Sequence, residues 1–188
     1  MSMPMLKRRW TVDDLEDLPD DGNRYEIIDG ELFVTPAPSM NHQEAVIRLH
    51  SILAAYLDHQ PGVGHAYVSP ADVTFSRTRT VQPDVFVVPL SAGRRPRRFD
   101  DVGRLLLAAE VLSPSTGRAD RVTKRVLFRD ESVPEYWVVD LDSRTIERST
   151  PRDSRIERID DRLEWQPEGA ASALTIDVAD YFARVLDD

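Results

Sequence analysis

The sequence predicts an α/β fold: a central mixed β-sheet flanked by helices, with hairpin additions at the N-terminal and C-terminal ends. Two features lead to it. Residues 81–89 and 104–112 read as strands that are apolar on both sides, so each must be covered on two faces. Residues 41–59 carry apolar side chains at 45, 46, 49, 52, 53, 56 and 57, the stripe of a helix that packs on a sheet.

Each element has its own local signal. Thr11 caps a short helix that ends at Pro19, and Asp29-Gly30 joins two short strands in "RYEIIDGELFV". After the helix over 41–59 come strands near 65–69 and 72–76, then the run 81–89, then an arginine-rich loop over 91–104. Past the run 104–112, Pro114 and Gly117 break the chain, and Ser115 or Thr116 caps the approach to a helix over 119–130. That helix is expected to turn Val122, Val126 and Leu127 inward. Residues 136–149 read as two strands around Asp142-Ser143, and 154–165 as a further hairpin turning at Asp160-Asp161. A helix over 175–187, with Val178, Phe182 and Val185 on its apolar side, closes the chain.

At 188 residues the chain fits one domain, 1–188. No apolar run is long enough to span a bilayer and the first ten residues have no apolar signal segment, so the expected compartment is the cytoplasm, with no membrane partner. The absence of cysteine excludes disulfides, thiolate metal sites and cysteine nucleophiles. A net charge of −9 argues against a protein that coats nucleic acid with its whole surface. Between Arg94 and Arg129, however, ten Lys/Arg face four acids, a local +6 that leaves −15 elsewhere and permits a basic cleft on an acidic body.

Within the two apolar runs stand two acids, Asp84 and Glu110. If the runs are neighbours, both carboxylates point into one pocket, where like charges repel unless a cation joins them. Oxygen ligands alone suit Mg²⁺, with Mn²⁺ as the substitute. Lys124 is one of only two lysines and lies where a helix can return it to the acids, with Asp120 four residues ahead to orient it. Patterning leaves plainer readings open: Asp84 capping a turn after Pro83, Glu110 paired with an arginine, Lys124 on the surface. Tyr25 and Glu26 either line the cleft or pack the hairpin. His42, at a helix start after a Pro-rich turn, either contacts substrate phosphate or caps backbone.

"QPD" (82–84), "AEVLSPST" (109–116), "DRVTK" (120–124), "VPEYWVVD" (133–140) and "RYEIIDGELFVTPAPSMNHQ" (24–43) resemble the Uma-two-type family of restriction-endonuclease-like proteins, in the PD-(D/E)XK nuclease superfamily. The resemblance covers residues 11–186 and implies a restriction-endonuclease-like fold. It also implies that Asp84 and Glu110 hold the metal, with Glu44 as a further acid and a backbone carbonyl near Val111 joining them. Leu112 stands where the superfamily lysine would be, which passes that role to Lys124. The activity implied is Mg-dependent hydrolysis of DNA by a homodimer, with Arg118, Arg121 and Arg125 on phosphates. The alternatives are a catalytically inactive nucleic-acid-binding module and a structural or regulatory dimerisation protein.

Overall fold

The computed structural model describes residues 9–113, 117, 119–152 and 155–187, with the side chains of 100, 119 and 120 left out of that description. Six strands form the central sheet in the order β10-β9-β8-β7-β6-β3. These are β3 (Gly64–Val68), β6 (Val85–Pro89), β7 (Leu107–Val111), β8 (Tyr136–Asp140), β9 (Thr145–Ser149) and β10 (Glu157–Ile159). β7 and β8 run parallel and the other pairs antiparallel, so the sheet is mixed. Between β7 and β8 the chain crosses over through a helical segment, as a parallel pair demands.

Each face of this sheet has its own core. Val85, Val87, Ala109, Trp137 and Val139 pack with Ala45, Leu49 and Leu53 of α1 (Met40–Asp58) and with Tyr181 and Phe182 of α3 (Val178–Leu186). Phe86, Val88, Ala108, Tyr136 and Val138 pack with Leu127 and Phe128 of α2 (Arg125–Asp130) and with Val73 and Val81 of a second sheet. That second sheet is four-stranded, in the order β2-β1-β5-β4, from β1 (Arg24–Ile28), β2 (Glu31–Thr35), β4 (Val73–Ser76) and β5 (Arg79–Val81). The turn between β1 and β2 sets Asp29 at φ 52° and Gly30 at φ 81°, the doubly left-handed pair that favours Asp-Gly. Among the described residues no helix is long and apolar enough to cross a membrane.

Three expectations are corrected. The run 81–89 is two strands in different sheets: Val81 ends β5, Val85 opens β6, and Gln82–Asp84 form the crossing. Apolar residues fill both sheets, so the pattern hides the change, although Pro83 is poorly suited to a central strand. The hairpin expected over 154–165 is also divided: β10 pairs with β9, whereas β11 (Arg162–Trp165) pairs with β12 (Leu174–Asp177). The C-terminal addition is therefore β11-β12, and residues 174–177 are strand before α3 begins.

The third correction concerns the segment before β8. Ala119–Lys124 winds as a π-helix before α2 continues it. The wider turn breaks the 3.6-residue register. Val122 and Val126 consequently lie exposed, at 57% and 40%, while Lys124, Leu127 and Phe128 are buried. This orientation predicts that two neighbours differ sharply: Leu127→Ala costs ~2–5 kcal/mol in urea unfolding, and Val126→Ala within ~1 kcal/mol. Equal losses would mean that the helix presents another face to the core.

Candidate active site

Asp84 stands at the crossing between the sheets, where β6 begins. The β6–β7 register pairs Val85 with Ala109, so one step further Asp84 lies across from Glu110 near the end of β7. Both side chains are buried and both line one cavity of ≈860 Å³.

Cations and donors surround Asp84. Arg24 Nη1 donates to Oδ1 at 2.8 Å and to the Gln82 carbonyl at 2.7 Å. His42 Nε2 lies 3.1 Å from Oδ2, which also accepts the Val111 N–H at 2.8 Å. A carboxylate only accepts, so Nε2 carries the proton. Burial alone would raise the carboxyl's pKa. The His42 hydrogen bond, the charges of Arg24 and His42 and the Val111 amide outweigh it and hold the group at about 2. For Arg24, burial opposes the charge, but Asp84, Glu110 and Glu26 together raise its pKa above the ordinary value.

Lys124 is the other centre. Its Nζ lies 2.8 Å from Glu110 Oε1 and 2.9 Å from Glu26 Oε2, and Glu26 Oε1 accepts the Gln82 N–H at 2.8 Å. Only 3% of Lys124 is exposed, and Glu26 and Glu110 show 1% each. A buried ammonium of this kind is tolerable because two carboxylates meet it. The π-wound turn aims it, and β1 supplies its second acid.

The structure thus brings Asp84, Glu110, Lys124 and His42 together at one cavity, and adds two residues to them. Arg24 and Glu26 alternate on β1, so both reach the site from one side of that strand. Arg24 was not singled out by pattern, and Glu26 only as one of two readings. The period-2 charge pair beside an Asp-Gly turn was the available signal.

The other expected residues divide between the cavity and its surroundings. Glu44 is absent from the cavity wall and pairs with Arg48 at 2.7 Å one turn along α1. Val111 meets Asp84 through its amide, where a carbonyl was expected to face an ion. Arg121 lines the cavity, but its guanidinium is bound to Asp140 and to Glu147. Arg125 is absent from the cavity wall and bonds Glu147 Oε2 at 3.0 Å. Arg118, Ser115 and Thr116 fall outside the described residues, as does the side chain of Asp120. Leu112, at the superfamily lysine's place, lines the cavity with an apolar side chain.

Residues 12–179 match the Uma2 family, described as "Putative restriction endonuclease". The chain belongs to the Uma2 family. A solved structure, described as "a putative nuclease belonging to DUF820" from Anabaena variabilis ATCC 29413, shares the fold. Its TM-score is 0.75 at 23% identity, over 93% of this chain and 98% of that one. No curated protein matches. The Uma2 match spans every residue of the cluster, from Arg24 to Lys124.

A hard divalent ion fits this donor set within limits. Three buried carboxylates, Glu26, Asp84 and Glu110, meet the side chains of Arg24, His42 and Lys124, so an ion would share its ligands with these groups. Among the described residues no three His, Cys, Asp or Glu side chains are placed to share an ion. Two carboxylates with water completing the shell is the arrangement that Mg²⁺ accepts.

Asp84 also makes the fold sensitive to acid. Its folded value, about 2, lies below the ordinary 3.8, so its ionisation stabilises the fold fully above 3.8 and that gain is lost as pH falls to about 2. The contribution is ~2 kcal/mol. Arg24→Gln lifts the carboxyl toward 3.8, and urea unfolding of the metal-free protein then shows a smaller drop in stability between pH 4 and 2. An unaltered drop would show that Arg24 does not hold the acid.

Proposed function

We propose that the chain is a metal-dependent endonuclease that hydrolyses phosphodiester bonds in DNA. The observation that carries this reading is the Lys124 ammonium 2.8 Å from Glu110, in the wall of the cavity that Asp84 shares. Asp84 and Glu110 are the residues that would hold Mg²⁺ or Mn²⁺. When bound, such an ion lowers the pKa of water and offsets charge on phosphoryl oxygens.

The remaining roles belong to the chain. Glu26 and Glu110 fix the Lys124 ammonium where negative charge grows on the attacked phosphate, so no reorganisation is needed as the charge develops. His42 and the Val111 amide hold Oδ2 of Asp84 and leave Oδ1 to Arg24. Arg24 and an ion compete for that oxygen, because a guanidinium and a divalent cation repel. Arg121 stands on the cavity wall as the phosphate contact, with Asp140 and Glu147 setting its direction. Action as a homodimer and a cytoplasmic location complete the proposal.

Two observations favour a second reading, a catalytically inactive DNA-binding module: Asp84 and Glu110 each already have a cation beside them, and Leu112 replaces the strand lysine. Two substitutions separate the readings. Glu110→Gln lowers calorimetric Mg²⁺ affinity at least ~10-fold and abolishes nicking of supercoiled DNA. Lys124→Gln keeps ion binding and slows nicking ~10²–10³-fold. DNA binding without nicking by the unmodified protein, indifferent to Lys124→Gln, would establish the second reading.

A further inference from the structure

A second concavity, ≈700 Å³, opens at the other end of β6 and is lined by Asp58, His65, Tyr67, Arg94, Arg95 and Arg97, among others. β6 runs from the Asp84 end to Pro89, which places this concavity ~17 Å from the carboxylates at ~3.3 Å per residue. α1 gives an independent measure. His42 at its start meets Asp84 and Asp58 at its end lines the concavity, ~24 Å apart at ~1.5 Å per residue.

The arginines here are exposed, and among the described residues Arg94, Arg95 and Arg97 form no ion pair. That is not for want of acids, since the chain has 33 Asp and Glu against 24 Lys and Arg. Several other arginines do find partners: Arg48 with Glu44, Arg79 with Asp29 and Glu131, Arg148 with Glu135, Arg184 with Asp180. Arg95 Nη1 lies 3.4 Å from His65 Nε2. Burial lowers the pKa of His65, Arg95 and His50 lower it further, and Asp58 opposes them. An imidazole held neutral in this way does not add to the repulsion among the arginines.

The loop is also held at both ends. Ser91 and Arg94 exchange two backbone hydrogen bonds, 2.9 and 3.0 Å, across Ala92 and Gly93, both at positive φ. Pro96 restricts the backbone between Arg95 and Arg97. Beyond them, Phe99 packs against Tyr67 with ring centroids 5.6 Å apart, and Tyr67 stacks on Phe86 of β6 at 5.7 Å. The arginines are therefore presented from fixed backbone, and little freedom remains to be lost when an anion binds.

We propose that Arg94, Arg95 and Arg97 form a second clamp for the phosphate backbone of duplex DNA, engaging the stretch that flanks the segment in the cleft. Guanidinium groups suit phosphate oxygens in a bidentate fork, and three of them on one rigid loop follow a backbone without reading its bases. A separation of ~17–24 Å corresponds to ~5–7 base pairs at ~3.4 Å each. This inference rests on the nuclease reading of the cleft.

The test measures binding of the full-length chain to a ~24-base-pair duplex by fluorescence anisotropy at several salt concentrations. Combined Arg94→Ala, Arg95→Ala and Arg97→Ala is expected to reduce the salt slope by ~2–3 and to weaken binding at least ~10-fold at ~50 mM salt. The same three positions changed to lysine retain most of the slope, which a merely structural role of the loop would not explain. Unchanged slope and affinity in the alanine variant, with binding weakened by Arg121→Ala, overturns the clamp and leaves the cleft reading standing. Failure of the unmodified protein to bind any duplex overturns both.

Discussion

The buried ammonium of Lys124, shared between Glu26 and Glu110, is the contact on which the remaining arrangement depends. It joins three parts of the chain distant in sequence: the first hairpin, the central strand β7 and the π-wound turn after it. A carboxylate in the middle of an apolar strand is unfavourable alone, and so is an ammonium in the core beside it. Together they define one relative placement of hairpin, strand and helix, because each is the condition for burying the others.

Around that contact the charges form a connected series in which two acids stand side by side between cations. Arg24 meets Asp84, Asp84 lies across from Glu110, Glu110 meets Lys124, and Lys124 meets Glu26, which stands two residues from Arg24 on β1. The series closes on itself through a single strand. Arg24 also bonds the Gln82 carbonyl and Glu26 the Gln82 amide, so β1 grips the crossing segment by side chain and backbone together. The cavity is bounded by cations and carboxylates in near balance, with Arg24, Arg121 and Lys124 each held by an acid of the same wall.

Much of this was legible in the sequence. Two runs apolar on both sides required a covered sheet, and an acid in each suggested a common pocket; the structure sets Asp84 and Glu110 across adjacent strands, where each has a cation of its own, Arg24 and Lys124, in place of the shared ion expected. The scarcity of lysine pointed to Lys124. What escaped reading did so for physical reasons. The helix over 119–130 was judged by a 3.6-residue period, which a π turn does not obey, so Val122 and Val126 were turned inward by pattern and outward by the chain. The change of sheet at Gln82–Asp84 is marked only by the Gln-Pro-Asp interruption, too short to separate from a polar break within one strand. Asp160-Asp161 revealed a bend but not the partners of the strands on either side, since pairing is decided by distant residues. Arg24 finds Asp84 sixty positions away, beyond any local pattern, whereas Glu44 has its partner Arg48 in the next turn of its own helix.

The crossing at Gln82–Asp84 has a mechanical meaning. It is a covalent tie between the four-stranded and six-stranded sheets at the place where the charges gather. A second short link, residues 69–72, joins β3 to β4, so if one sheet rocks against the other, displacement is smallest along the line through the two ties and grows toward the outlying strand β2. Thr35 and the proline-rich turn that follows β2 form one bank of the cavity and would travel with it, widening or narrowing the mouth. The acid at the crossing would scarcely shift, so the width of the entrance and the geometry of the carboxylates can vary independently.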